Sequence, residues 1–177
     1  VTEIGDHAFS GCYDIVSVNI PAGVKRIGES AFSDCYELTG ISLPDGLTEI
    51  GSRAFMECYG LTAIEIPGTA SVGGYAFYGC GSIESIVLGE GVSVIGEYAF
   101  RNCAAVDTLY LPGTITSIGE AAFMDCRSLT SLELAEGITR TGSSAFMYCY
   151  ALTTFRCPQR SLSLTITRSG AATRLRR

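Results

Sequence analysis

Residues 35–55 read CYELTGISLPDGLTEIGSRAF, and this stretch decides the fold because its apolar positions recur along most of the chain. A phenylalanine returns every 22 or 23 residues, with a glycine four positions before it and a cysteine three positions after it. One such unit cannot bury its own apolar stripe, whereas stacked units bury a continuous core, so the repetition predicts a solenoid. The seven units are marked by Phe9, Phe32, Phe55, Phe77, Phe100, Phe123 and Phe146.

The first half of each unit predicts a β-strand. Ile41 and Leu43 lie two residues apart, which is the period of a strand with one buried face. Units stacked at the same phase place these strands in one parallel sheet. The equivalent inward-facing pairs are Val18 and Ile20, Ile64 and Ile66, Ile86 and Leu88, Leu109 and Leu111, Leu132 and Leu134, and Phe155 and Cys157.

The second half of each unit, IGSRAFMEC at residues 50–58, predicts a short helical segment opposite the sheet. Ala54 and Cys58 are four residues apart and Phe55 and Cys58 three, which is the spacing of one helix face. We therefore expect an α/β repeat fold. Carboxylates that would face the positive end of each short helix follow the glycine at Asp6, Glu29, Glu97 and Glu120.

One unit is a residue shorter than the others, between Ile50 and Val72. The segment Pro67–Ser71 lacks one turn residue, and Gly73 and Gly74 follow it. We expect this connection to be the most irregular and mobile part of the solenoid.

Composition and charge exclude several classes of protein. With 47% apolar and 17% charged residues, the 177-residue chain can bury a core and is not expected to be disordered. Residues 1–155 hold all 18 acidic and six basic residues, a balance of −12, which argues against a nucleic-acid partner. No apolar run approaches the roughly 18 residues of a membrane span. Residues 1–30 lack the pattern of a signal peptide.

The ends of the chain differ from its body. Residues 1–158 form the repeat region, and residues 159–177 are expected to be a basic tail that either caps the last unit or is foreign to the solenoid. Leu162, Leu164 and Ile166 alternate with polar residues and indicate one strand there. Because Val1 stands in mid-repeat, we expect the chain to be a segment of a longer protein.

The recurring cysteines and glycines are better explained by structural roles in packing than by catalysis or metal binding. The cysteine column is expected to be buried and reduced, rather than bridged or metal-binding, because stacked turns stand too far apart for unstrained disulfides. The glycine column indicates a positive φ or tight packing, and it lacks the lysine of a phosphate loop. The only histidine, His7, occupies a position that varies between repeats, and we expect it to be exposed. We expect no catalytic residue, metal site or cofactor.

Two surfaces are candidates for binding. Tyr13, Tyr36 and Tyr59 follow three successive cysteines and should stack side by side, either as a cover for the solenoid edge, which we favour, or as an aromatic contact surface. Outward strand positions should line a concave face that suits a protein better than a small molecule. The candidate residues of this face are Ser17, Asn19, Ser42, Glu65, Ser85, Thr108, Tyr110, Ser131, Glu133 and Thr154.

The repeat resembles the BspA-like (Treponema-type) bacterial leucine-rich repeats, whose pattern is L-x-x-I-x-L-P-x-x-L-x-x-I-G-x-x-A-F-x-x-C. Departures such as Gly89 and Ala135 in place of proline, and Thr141 in place of isoleucine, weaken individual units only. The pattern is carried by Leu38, Ile41, Leu43, Pro44, Leu47, Ile50, Gly51, Ala54, Phe55 and Cys58.

The resemblance implies a leucine-rich-repeat solenoid from a cell-surface or extracellular protein that binds host matrix proteins, cell-surface proteins or, less readily, glycans. We therefore expect a non-catalytic protein-binding or adhesion module. The alternatives are a structural spacer or scaffold in a larger surface protein, and an interaction protein of a protist.

Overall fold

A computed structural model of the protein describes residues 1–156 and the backbone of 166–168 and 171–173. The described residues form strands and turns, without a helix. In chain order the strands are β1 Glu3–Ile4, β2 Ser17–Asn19, β3 Arg26–Ile27, β4 Gly40–Ser42, β5 Glu49–Ile50, β6 Ala63–Ile66, β7 Ser71–Val72, β8 Ser85–Leu88, β9 Val94–Ile95, β10 Thr108–Tyr110, β11 Ser117–Ile118, β12 Ser131–Glu133, β13 Arg140–Thr141, β14 Thr154–Arg156, β15 Ile166–Arg168 and β16 Ala171–Thr173.

The even-numbered strands β2 to β14 are the predicted ones, and each lies beside its equivalent in the next repeat. All of their pairings are parallel and in the register of the repeat, so that Val18 opposes Ile41 and Ile64 opposes Ile86. Hydrogen bonding divides this face into three groups, β2–β4, β6–β8 and β10–β12–β14. The predicted parallel face is thus confirmed, with interruptions in its ladder.

The odd-numbered strands β1 to β13 form a second parallel sheet, which the sequence analysis missed. Each strand has two residues, and the seven pair without interruption along the solenoid. The apolar residue before most of the column glycines faces the core, as Ile27, Ile50 and Ile95 do. The recurrence of this apolar residue could have indicated the second sheet, but the sequence analysis assigned the residue to the start of the predicted helical segment.

The predicted helical segments are wrong, and the reason lies in the backbone amides. Successive amides alternate between two partners: Phe32 donates to Ala54 in the next repeat (2.8 Å), whereas Ser33 donates three residues back to Ser30 (3.1 Å). A helix would need every amide to donate four residues back. The segment is therefore a run of turns that also hydrogen-bonds between repeats.

Left-handed residues make these turns. In the second repeat Ser30 has a φ of 51° and Asp34 a φ of 60°, and equivalent positions have positive φ throughout the described repeats. A non-glycine residue in this region costs on the order of 1–2 kcal/mol, which the hydrogen bonds between repeats offset. Without a helix, the carboxylate of Asp6 has another role, and it accepts the amide of Glu29 at 2.8 Å.

The core is a stack of identical side chains. Each phenylalanine ring of the column lies 5.1–5.4 Å from the next, centroid to centroid, with the ring planes within 2–8° of each other. Leucine, isoleucine and valine from both sheets pack around the rings, and Ala54, Ala76 and Ala99 fill the narrow space beside them. The apolar stripe of the repeats after the first is thus buried by their neighbours, as predicted, whereas Phe9 of the first repeat is 38% exposed.

The glycine column is explained by tight packing rather than by positive φ. A Cβ on Gly96 would lie 2.6 Å from the carbonyl carbon of Gly73, and one on Gly51 would lie 2.7 Å from that of Gly28. Neither φ falls in the left-handed region. The backbones of successive repeats touch at this corner, and only glycine fits between them.

The short repeat keeps the registers of its neighbours. Ala70 donates to Pro67 (3.0 Å) just as Leu47 donates to Pro44 (2.9 Å), so the turn is complete and the missing residue falls between Ala70 and Val72. Val72 still opposes Ile50, although the pairing of β7 with β9 shrinks to Val72 and Ile95. The irregularity is confined to that corner, while its mobility stays a prediction.

The C-terminal predictions fall largely outside the described residues, including Cys157, Leu162, Leu164 and the boundary at residue 158. The backbone of β15 pairs with that of β16 in an antiparallel arrangement. Among the described residues, no helix has the length and apolar character needed to cross a membrane.

Replacing Gly96 by Ala should destabilise the solenoid by more than about 2 kcal/mol, since the added methyl group collides with backbone rather than with a movable side chain. Gly113→Ala is the matched control, because no atom lies within 4 Å of its Cβ position. Urea unfolding measures both changes. Equal stability of the two variants would contradict the packing explanation.

Candidate binding surfaces

The candidate residues of the strand face lie in two rows across the even-numbered strands. Register places Thr108, Ser131 and Thr154 in one row, and Tyr110 and Glu133 in the other. At the other end of the face, Asn19 opposes Ser42. Every candidate side chain is exposed except Ser131, which is half-buried. The residues proposed from sequence therefore share one surface.

The centre of this face carries two large exposed apolar side chains. Tyr110 is 66% exposed and Val87 49%, although the alternate residues of the same strands, Ile86 and Leu109, are buried. Glu65 opposes Val87 and Glu133 opposes Tyr110, so a carboxylate stands at each end of the pair. Exposed tyrosine with an adjacent aliphatic side chain, bordered by charge, is a composition typical of protein contact sites.

A shallow open groove of about 460 Å³ lies at one end of the face. It is bounded by Asn19 and Ser42 and by the turns 20–22 and 43–46 that follow these residues. The groove is open to solvent, unlike the enclosed clefts that bury most of a small molecule. It extends the strand face rather than forming a separate pocket.

The cysteine column is buried, as predicted, for Cys35, Cys58, Cys80, Cys103, Cys126 and Cys149, while Cys12 is half-buried. The seven described cysteines are free thiols. Each buried thiol donates to the carbonyl of a phenylalanine in the preceding repeat, for example Cys80 to Phe55 at 3.0 Å. The column is therefore hydrogen-bonded as well as apolar, which the sequence analysis did not anticipate.

Burial affects the ionisation of four of the buried thiols. Loss of hydration raises the pKa of Cys35 to about 12 and that of Cys149 to about 12. It also raises the pKa of Cys103 and of Cys126, which are more deeply enclosed. Because the thiolate is the reactive form, these four thiols are expected to react poorly at neutral pH. No group of described residues has the composition to hold a metal ion.

His7 occupies the first left-handed position of the repeat. Its φ is 56°, and its backbone amide donates to Glu29 at 2.8 Å. The side chain is exposed, as predicted, but the equivalent Ser30 and Ala121 are buried. Variability at this position thus reflects a shared backbone conformation more than uniform exposure.

The predicted tyrosine stack is present. The ring centroids of Tyr13 and Tyr36 are 5.0 Å apart, and those of Tyr36 and Tyr59 are 5.2 Å apart. The rings cover the edge of the first three repeats and remain 54%, 37% and 47% exposed in chain order. Loss of hydration, followed by the carboxylates of Asp34 and Glu57, raises the pKa of Tyr36 and of Tyr59.

A second aromatic group, which the sequence analysis missed, lies on the turns of the middle repeats. The rings of Tyr75 and Tyr98 stack at 4.7 Å, and the guanidinium of Arg53 lies 5.3 Å from the centroid of Tyr75. Arg101 lies 5.8 Å from the ring of Tyr78. Arg53, Tyr75 and Tyr98 share one position of the repeat, and Tyr78 and Arg101 share another. The period was therefore the available signal, but these positions hold different residue types along the chain and were not examined for contacts.

Comparison with known proteins gives consistent results. A family profile of the BspA-type leucine-rich repeat region, in six copies, matches residues 2–72 and 70–170. A leucine-rich repeat protein of Treponema pallidum is similar, with 38% identity and a TM-score of 0.82, over 86% of this chain and 72% of that protein. A comparison with curated protein sequences returned no match.

Two further solved structures are similar over about half of their own length. A leucine-rich cell surface protein of Faecalibacterium prausnitzii shares 26% identity with a TM-score of 0.67, over 91% of this chain and 52% of that one. A leucine-rich repeat protein of Bacteroides ovatus shares 24% identity with a TM-score of 0.58, over 87% of this chain and 52% of its own, and shows the fold alone.

The thiol geometry predicts how Cys103 responds to substitution. Cys103→Ser should lower the free energy of unfolding by only about 1 kcal/mol. The loss is small because the serine hydroxyl can donate to the carbonyl of Phe77, which accepts from the native thiol at 3.4 Å. Cys103→Ala removes the donor and leaves a small void, so its loss should be at least as large. Urea unfolding of both variants measures which of them is more stable. A serine variant several kcal/mol less stable than the alanine variant would contradict this prediction.

The raised thiol pKa values also predict a loss of stability in alkali. In the unfolded chain the thiol of Cys35 has its ordinary pKa of 9.0, whereas in the folded protein its pKa is about 12. The stability that this difference contributes is complete below pH 9 and falls as the pH rises towards 12. Thermal melts of the protein and of a Cys35→Ala variant across this range should therefore converge in alkali, whereas a constant difference would argue against the shift.

Proposed function

The chain belongs to the BspA-type leucine-rich repeat family, and on this premise we propose that it is a non-catalytic module that binds a protein through its even-numbered strands. The observation that supports the proposal is the exposed pair Val87 and Tyr110 at the centre of a regular strand face. Large exposed apolar side chains on an otherwise small and polar surface are typical of contact sites.

The proposed location is the cell surface or the extracellular space. The similar Faecalibacterium prausnitzii protein is described as a cell surface protein. The solenoid would then present its strand face to a host matrix protein or to a protein of another cell. A glycan ligand fits less well, because the exposed faces of Val87 and Tyr110 favour an apolar side chain.

The strand face can be tested with a pair of arginine variants. Thr108→Arg places a long charged side chain in the centre of the face, whereas Ser143→Arg places the same side chain at an exposed position on the turns. Pull-down from host matrix and bacterial surface extracts should show at least a roughly ten-fold loss of retained partner for Thr108→Arg, about 1.4 kcal/mol, and none for Ser143→Arg.

Melting temperatures of both variants should match that of the unchanged protein. Equal retention by the two variants would contradict binding through the strand face. Failure of the unchanged protein to retain any partner would instead favour a structural spacer, which holds other parts of a larger protein apart without binding.

A further inference from the structure

We propose that the tyrosine stack of Tyr13, Tyr36 and Tyr59 is a second binding surface, which takes an extended, arginine-containing segment of a partner protein. This surface lies at the turns that precede β2, β4 and β6, and it is separate from the pair Val87 and Tyr110 on the strand face. The two surfaces can therefore be tested independently.

The stack is ordered before any partner arrives. The rings hold one another at 5.0 and 5.2 Å, so little side-chain freedom remains to be lost on binding. Tyrosine offers a rigid apolar ring and a polar tip, and it is enriched among the residues that dominate binding energy. Three exposed rings in one line suit an extended peptide that runs across the repeats.

The stack has no further ring after Tyr59. The position that follows Tyr59 in the column is Gly81, which has no side chain to lie against the ring of Tyr59. An arginine of the partner can stack on Tyr59, whose side chain is 47% exposed, because a guanidinium is planar and favours the face of an aromatic ring. Its hydrogen-bonding edge then stays available for a carboxylate.

The charge around the stack selects a basic partner. Four carboxylates flank the three tyrosines in sequence, and the hydroxyl of Tyr36 lies 3.5 Å from Oδ1 of Asp34. Both arginines of residues 1–60 are paired elsewhere, Arg26 with Glu3, Asp6 and Glu49, and Arg53 with Glu29. The four carboxylates at the stack are Asp14, Asp34, Glu37 and Glu57.

The proposal is tested with a fluorescent ten-residue peptide of alternating arginine and serine, titrated with the full chain and followed by anisotropy. Tyr36→Ser removes the middle ring without changing the net charge. Tyr150→Ser is its matched control, because Tyr150 occupies the same position of the last repeat and is 47% exposed, as Tyr59 is. We expect Tyr36→Ser to weaken binding by about five-fold or more and Tyr150→Ser to leave it unchanged.

Charge is tested separately. The double variant Asp34→Asn with Glu57→Gln should weaken binding, while Glu65→Gln with Glu133→Gln, which removes two charges from the strand face, should have a smaller effect. Asparagine suits the left-handed backbone at residue 34, where φ is 60°. Melting curves confirm that each variant is folded.

Several results would overturn the proposal. These are no saturable binding of the arginine–serine peptide, equal effects of Tyr36→Ser and Tyr150→Ser, equal effects of the two charge variants, and equal affinity for a glutamate–serine peptide. A lysine–serine peptide of the same length should bind more weakly than the arginine peptide, since its ammonium group stacks less well on Tyr59. Equal affinity for the lysine and arginine peptides would contradict the proposed stacking of an arginine on Tyr59.

Discussion

Hydrogen bonding between the backbones of neighbouring repeats is the constraint on which the rest of this structure depends. Amides on several sides of the solenoid donate to carbonyls one repeat away, not only in the two sheets but also along the turns, as Phe32 does to Ala54. A buried amide without a partner is costly, so the backbone of each repeat must follow that of its neighbour closely. This requirement fixes the register, admits only glycine where backbones touch, and brings each phenylalanine ring directly over the next.

The same constraint explains how much of the fold could be predicted. Positions such as Ile64 and Ile86 recur at one period, and the period alone places them in a parallel face with buried side chains. The spacing of Ala54, Phe55 and Cys58 is compatible with a helix and equally with successive turns, and local spacing does not distinguish them. Hydrogen bonds to the next repeat decide in favour of turns, and they are not visible within a single unit.

The candidate surfaces show a similar division. The alternation along each strand predicted which side chains would be exposed, and the tyrosine column predicted the stack of Tyr13, Tyr36 and Tyr59. The contact of Arg53 with Tyr75 was missed, although the two residues occupy the same position of successive repeats, because that position holds different residue types along the chain and was interpreted only as exposed. The hydrogen bonds of the buried thiols were missed because cysteine was treated as an apolar residue only.

The corner between Ala70 and Val72 shows that the length of a repeat is not fixed by its core. One residue is absent there, yet the rings of Phe55 and Phe77 remain 5.1 Å apart and Val72 remains opposite Ile50. A change of length at this corner therefore leaves the ring stacking and the strand register of the neighbouring repeats in place. Over evolutionary time such a corner can acquire loops of different length and sequence, so that a lineage can diversify the outer contour of the protein while every repeat keeps the same interior.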